Sequence, residues 1–186
     1  MLTAGQTDGN YTLLQGNAGG YGPAVYATGT GFPIPPYLAN SASSQWIHPD
    51  SPANQSNHAA GNYTFRTTFD LSAFDPATAS VSLSVAVDNA LTSVLLNGVA
   101  TGLTYNSFAA LSSPFTLNSG FTSGINTLDF VVVNSPGTVT NPVGLRVQID
   151  RAVATIAAPE PGSLALIAFG TFPILGAIAS RRRKAK

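Results

Sequence analysis

Three side chains in one segment of the sequence could bind a metal ion. His48 and His58 are the only histidines of the chain, and Asp50 lies between them in a stretch rich in proline and asparagine. Imidazole nitrogens and carboxylate oxygens are ligands that Zn²⁺ takes in proteins, so this spacing allows a metal site. Polar side chains in such a loop are more often merely solvated, and we expect these three to be solvated.

The sequence offers little else for catalysis. General acid–base chemistry needs a carboxylate pair or a histidine poised near neutral pH, and the only glutamate, Glu160, lies close to the C-terminus. No cysteine is present, and neither a Gly-x-Ser-x-Gly elbow, a His-Glu-x-x-His motif nor a phosphate-binding glycine loop occurs. We predict that the chain is not an enzyme and that it needs no cofactor for a reaction.

The charge distribution excludes nucleic acid as a partner. Residues 1–158 carry three arginines and seven aspartates, hence a net charge of −4, and the first lysine is Lys184. A phosphate backbone requires a basic surface, which this region cannot form. The absence of cysteine excludes disulfides and thiolate zinc sites, although a domain of ~150 residues buries enough surface to fold without them.

Alternating apolar and polar residues predict that the chain forms several β-strands between residues 63 and 158. The pattern is clearest in YTFRTTFDL from Tyr63, in SVSLSVAVDN, in NTLDFVVVN and in VGLRVQIDRAVATI. Asn97-Gly98 is a strong signal for a two-residue hairpin, whereas the proline-rich residues 31–61 indicate long connections around one or two short strands. We predict an all-β fold, an antiparallel β-sandwich over about residues 10 to 155. The residues predicted inside are Val81, Val85, Leu128, Val132, Leu145 and Val147.

The C-terminal residues predict a single transmembrane helix. Residues 163–180 contain no charge, and five of the chain's eight basic residues follow them. As a helix these 18 residues would be ~27 Å long, just enough for a hydrocarbon core of ~30 Å. A buried core helix is the alternative, but the run is apolar all round and adjoins a basic cluster. The positive-inside rule places that cluster in the cytoplasm and residues 1–158 outside. The cluster begins with Arg181, Arg182, Arg183 and Lys184.

Pro159-Glu160-Pro161, an apolar span and a basic tail, in that order, resemble the PEP-CTERM protein-sorting signal of exopolysaccharide-producing Gram-negative bacteria. The resemblance implies an exosortase as partner, which cuts near this motif, so that the protein passes from the inner membrane to the cell surface or extracellular matrix. It divides the chain into an extracytoplasmic domain, residues 1–158, and a sorting signal, residues 159–186. Such proteins begin with a secretory signal peptide, which residues 1–16 do not resemble, so we expect a start further upstream.

Several short motifs between residues 62 and 150 resemble the galactose-binding-like jelly rolls of carbohydrate-binding modules. They are Asp88-Asn89, Asn97-Gly98, the strand opening at residues 124–128, Asn141-Pro142 and Gly144-Leu145. The resemblance implies a jelly-roll sandwich and allows a structural calcium near Asp88 and Asn89. We favour the simpler interpretation of those two residues, a turn bonded to its own backbone.

Two functions fit this description. The first is a structural or adhesive surface protein associated with exopolysaccharide or biofilm. The second is a carbohydrate-binding module, in which Trp46 and Tyr105 stack on sugar rings while Asp88 and Asn89 bind hydroxyls. For the aromatic side chains we favour packing in the core or in loops, because large rings dominate the energetics of burial.

Overall fold

The protein is an antiparallel β-sandwich throughout the part of the chain that the structure describes. This computed structural model describes residues 1–28, 35–51, 57–137 and 141–158. Those residues contain no helix long and apolar enough to cross a membrane, and the predicted span at 163–180 lies outside them. The strands are β1 (Thr12–Leu13), β2 (Tyr26–Ala27), β3 (Trp46–His48), β4 (Gly61–Asp70), β5 (Phe74–Asp88), β6 (Ala90–Leu96), β7 (Val99–Ala100), β8 (Phe115–Leu117), β9 (Ile125–Asn134) and β10 (Gly144–Ile156).

The strands form two sheets, which confirms the predicted two-sheet sandwich. The order in one sheet is β1-β4-β9-β6-β7 and in the other β2-β3-β10-β5-β8. The first is built around β9, which pairs with β4 over all ten of its residues and with β6 on its other side. The second is built around β10, which lies between β3 and β5. Chain neighbours β3 and β4 therefore belong to different sheets, and the connection between them crosses from one sheet to the other.

The core lies between the sheets and follows the alternation in the sequence. Five of the six predicted interior residues are buried, and Val147 is half-buried against the same core. Phe65 on β4 is the direct partner of Phe130 on β9, and both are fully buried. Facing side chains of adjacent strands contribute most of a sheet's side-chain packing, so this pair anchors the centre of the first sheet.

The alternation of buried and exposed residues is lost in the second half of β10. The apolar residues Ile149, Val153 and Ile156 are exposed there. The register between β10 and β5 shifts after Ile149 and again after Val153. β-bulges of this kind break the two-residue period, so alternation no longer determines which side of the strand is buried.

The predicted hairpin at Asn97-Gly98 is present. Leu96 pairs with Val99, and the two residues between them have φ angles of 52° and 80°. Both values lie in the left-handed region, as a type I′ turn requires.

We expect Gly98→Ala to lower the free energy of unfolding by about 1 kcal/mol, because a Cβ is unfavourable in the left-handed region. Gly9→Ala is the matched control: a Cβ at either glycine meets no atom within 4 Å, but only Gly98 has a positive φ. The measurement is urea unfolding of both variants. An equal effect of the two substitutions would show that the turn geometry is not the cause.

Part of the outer face of the second sheet is also buried, which the sequence did not indicate. Arg146 on β10 is paired with Trp46 on β3 and with Ala86 on β5, so the three form one row across that face. Residues 38–44 cover the row: Trp46 Nε1 donates to Leu38 O over 2.7 Å. The Arg146 guanidinium donates to Ala39 O and to the hydroxyls of Ser41 and Ser44.

Arg146→Ala should lower the free energy of unfolding by about 2–4 kcal/mol, since hydrogen bonds from a charged donor are worth about 1.5–3 kcal/mol. Burial already lowers the pKa of Arg146, so these bonds must offset the cost of removing its charge from water. Arg151→Ala is the control, because Arg151 lies exposed on the same strand. If the two substitutions lower the free energy of unfolding equally, the hydrogen bonds of Arg146 do not hold residues 38–44 in place.

Candidate functional site

His48, Asp50 and His58 come together in one buried cluster. His48 is the last residue of β3, Asp50 follows two residues later, and His58 lies shortly before β4. His48 Nδ1 is 3.1 Å and His58 Nε2 is 3.0 Å from the same atom, Asp50 Oδ1. The exposed fractions are 2%, 7% and 3%. The expectation that these residues are solvated is therefore wrong, because the chain after β3 folds back onto the sandwich.

The position of His58 is fixed by its backbone. Its N–H donates to Asn141 O over 2.8 Å, and Asn141 Nδ2 donates in return to His58 O over 2.9 Å. Asn134 Nδ2, at the end of β9, also donates to His58 O. The imidazole packs near the ring of Tyr21 at 5.7 Å and near that of Tyr63 at 6.4 Å. Two asparagines and two tyrosines thus hold this histidine towards Asp50.

The Asp50 carboxylate is shielded from water and keeps its negative charge. Burial raises the pKa of Asp50, but hydrogen bonds from His48 and then from His58 outweigh it, and the pKa is lowered overall. The carboxylate therefore stays ionised. Its ion pairs within the described residues are those with the two imidazoles.

Each histidine uses one ring nitrogen and leaves the other without a partner. His48 Nε2 and His58 Nδ1 are buried, and neither has a hydrogen bond within the described ranges. A buried polar atom without a partner costs about 1–3 kcal/mol. Among the described residues, the hydrogen-bond network of the cluster therefore leaves these two nitrogens unsatisfied.

Asp88 and Asn89 lie at the end of β5, and their oxygens accept hydrogen bonds from protein donors. Tyr37 OH donates to Asp88 Oδ2, and Asn89 Nδ2 donates to Asp88 Oδ1 over 2.8 Å. The backbone N–H of Ser135 donates to Asn89 Oδ1 over 2.7 Å. Burial raises the pKa of Asp88, and the bond from Tyr37 and the nearby His58 only partly offset this.

A calcium ion at Asp88 and Asn89 would have to displace these hydrogen bonds, and the site stays a prediction. If calcium does not bind, adding Ca²⁺ to the metal-free chain leaves the midpoint of thermal unfolding unchanged. A midpoint that rises with Ca²⁺ and returns on its removal would establish the site. Asp88→Asn, which removes the charged ligand, is the variant that assigns such a rise to this loop.

The predicted glycan-binding aromatics are not equivalent in the structure. Trp46 is fully buried beneath residues 38–44, so its ring cannot stack on a sugar and that part of the prediction is wrong. Tyr105 is half-buried beside β6, bridged to Leu91. Tyr37 stacks on Phe108 at 4.6 Å and meets Trp46 edge-on at 5.8 Å. Trp46 and Tyr105 thus lie on strands or bridges of different sheets.

The predicted sorting residues lie outside the described residues, so their evidence is in the sequence. They are Pro159, Glu160 and Pro161 together with Arg181, Arg182, Arg183 and Lys184. The sequence profile of the PEP-CTERM protein-sorting motif matches residues 157–184. The chain carries a PEP-CTERM motif. This confirms the resemblance inferred from the Pro-Glu-Pro sequence, the apolar run and the basic tail.

Other comparisons give weaker likenesses. A comparison with curated protein sequences gives no match. Among solved structures, a CBM35 from Paenibacillus barcinonensis is 14% identical with a TM-score of 0.39, covering 82% of this chain and 100% of that one. A GH26-CBM35 β-(1,4)-mannanase from Podospora anserina is also 14% identical, with a TM-score of 0.30 and coverage of 86% and 28%. At these values neither likeness bears on what this chain binds.

Proposed function

We propose that this protein is exported, recognised by an exosortase through residues 157–184, and cut near Pro159-Glu160-Pro161. The match to the PEP-CTERM motif is the observation that carries the proposal. The processed β-sandwich then resides at the cell surface or in the extracellular matrix, where it has a structural or adhesive role associated with exopolysaccharide. It passes through the inner membrane on the way.

The chemistry of the C-terminal residues supports this order of events. Proline residues on both sides of Glu160 disfavour a helix at this position, and a sequence of this kind suits recognition of the carboxylate by an enzyme. The uncharged residues 163–180 are long enough to span a bilayer. The arginines that follow hold the C-terminus in the cytoplasm.

The boundaries of the fold are compatible with such a cut. Residues Met1–Ile156 form one compact unit, and its last strand ends at Ile156. Cleavage at the Pro-Glu-Pro sequence would therefore leave every described strand and the whole core intact. The sandwich contains no cysteine. It therefore folds around its own core without disulfides.

Carbohydrate binding is the alternative function. Because Trp46 is buried, it would depend on other aromatic side chains. The partly exposed rings of Tyr37 and Phe108 are stacked, and Tyr37 reaches the Asp88 carboxylate. Such a platform with adjacent polar groups suits the face and the hydroxyls of a sugar. A glycan array probed with the full chain and with Phe108→Ala tests this alternative; equal binding by both would remove it.

A graft experiment tests the sorting proposal. Residues 157–186 are joined to an unrelated exported reporter, and a second reporter carries residues 163–186, which keep the apolar run and the basic tail but lack Pro-Glu-Pro. We expect shortening of the first reporter only in a host with an exosortase, and no shortening of the second. The proposal fails if both reporters stay full-length, or if both are shortened alike.

A further inference from the structure

We propose that His48, Asp50 and His58 bind one divalent first-row transition-metal ion, with Zn²⁺ as the representative ion. This inference is independent of the sorting function. It concerns only the described sandwich.

The ligand atoms are already close to a metal-binding arrangement. One atom from each of the three side chains lies within 4.8 Å of the other two. An ion held ~2.1 Å from each ligand in tetrahedral geometry separates its ligand atoms by ~3.4 Å. The two histidines would therefore close on the ion by side-chain movement of the order of 1 Å, without any rearrangement of β3 or β4.

The electrostatics of the cluster favour a cation. The Asp50 carboxylate is buried, and the side chains bonded to it in the described chain are two imidazoles rather than a lysine or arginine. A buried carboxylate is costly unless a positive charge compensates it. A metal ion supplies that charge and takes the imidazole lone pairs at the same time.

The ring nitrogens that face Asp50 define the ligand set. His48 would bind through Nδ1 and His58 through Nε2, because these are the atoms that now approach Asp50 Oδ1. The opposite ring nitrogens, His48 Nε2 and His58 Nδ1, would then carry the protons and lie outside the ligand set.

The ligand types select the class of metal. Two nitrogens and one carboxylate suit zinc, copper, nickel or iron, whereas calcium and magnesium prefer all-oxygen sites. Three protein ligands leave a fourth position for water.

The connection from β3 to β4 crosses between the sheets, and the ligands lie near both of its ends. The ion would therefore clamp this connection and stabilise the folded state.

The experiment uses the full-length chain, without a polyhistidine tag, purified in detergent and stripped of metal. Calorimetric titration with ZnCl₂ should give one ion per chain. At a hundredfold excess over Kd, the midpoint of thermal unfolding should rise by about 5–10 °C. With Co²⁺ in place of Zn²⁺, the visible absorption bands of a nitrogen-ligated, four-coordinate ion should appear.

Asp50→Asn is the decisive variant, because its amide oxygen can still accept both imidazole N–H groups while the anionic ligand is lost. We expect its affinity for Zn²⁺ to fall at least ~100-fold, since even indirect partners of a metal contribute 10–100-fold. Asp150→Asn removes an exposed carboxylate and should bind as the original chain does. Zn²⁺ binding unchanged by Asp50→Asn would overturn the proposal.

The Co²⁺ spectrum keeps the proposal testable even if Asp50→Asn does not fold, because it needs only the original chain. A spectrum identical to that of aqueous Co²⁺ would also overturn it, as would a thermal midpoint that Zn²⁺ does not change.

Discussion

Glu160→Gln should reduce exosortase-dependent processing at least ~10-fold, because hydrogen bonds to a charged acceptor are roughly twice as strong as neutral ones and a tenfold change corresponds to about 1.4 kcal/mol. The substitution keeps the shape and volume of the side chain and removes only its charge. No second glutamate exists elsewhere in the chain to take its place. The measurement is the ratio of shortened to full-length protein, by immunoblot, in cells that contain the exosortase.

Two further variants separate charge from conformation. Glu160→Asp keeps the charge on a shorter side chain and should retain part of the processing. Replacing Arg181, Arg182 and Arg183 with serine should instead disturb the membrane orientation, since those charges determine which end stays in the cytoplasm. Normal processing of Glu160→Gln would show that the enzyme does not recognise the charge of this residue.

Phe130→Ala should lower the free energy of unfolding by about 3–5 kcal/mol, which is a large part of the stability of a domain of this size. Phe130 is fully buried in the middle strand of its sheet, opposite Phe65 on one side and Val94 on the other. Its removal leaves a cavity that rigid neighbouring strands cannot fill. Urea unfolding followed by the fluorescence of Trp46, the single tryptophan, measures the effect.

Ile125→Ala is the control on the same strand. Ile125 is 63% exposed, so its truncation should change the free energy of unfolding by less than ~0.5 kcal/mol. Similar losses for the two variants would contradict the assignment of the core to the space between the sheets.

The central strands could be predicted because they are amphipathic in the simplest way. Val81, Val85 and Leu128 alternate with polar residues, and the two-residue period of a strand then determines which side is buried. The hairpin was equally clear, since Asn97 and Gly98 tolerate left-handed backbone. These features depend on residues next to each other in the chain.

The outer layer could not be predicted because it depends on a segment with no period. After Leu38, residues 39–44 are alanines, serines and one asparagine, and nothing in their sequence shows that they cover Trp46 and Arg146. Arg146 alternates in the sequence with the inward-facing Leu145 and Val147, which suggests that its side chain faces solvent. Such an inference holds only for a sheet whose outer face is exposed to water.

The burial of the cluster formed by His48, Asp50 and His58 was not predicted for a related reason. Asp50 and the two histidines were visible in the sequence, but their burial depends on contacts of His58 with Asn134 and Asn141, more than seventy residues away. A stronger signal was present in Trp46 and Ile47, which place His48 at the end of an apolar strand. The sequence identified the three side chains that come together but predicted their exposure incorrectly.

Sorting by an exosortase is the central claim, and one measurement tests it most directly. The full chain, with a secretory signal peptide joined before Met1 and an epitope tag after Lys186, is produced with and without a cognate exosortase. Immunoblots of the membrane and surface fractions then follow the tag and the sandwich separately. We expect the exosortase to yield a surface-exposed sandwich without the tag. A tag that stays joined to the full-length protein in both hosts would contradict it, and residues 163–180 would then serve as a plain membrane anchor.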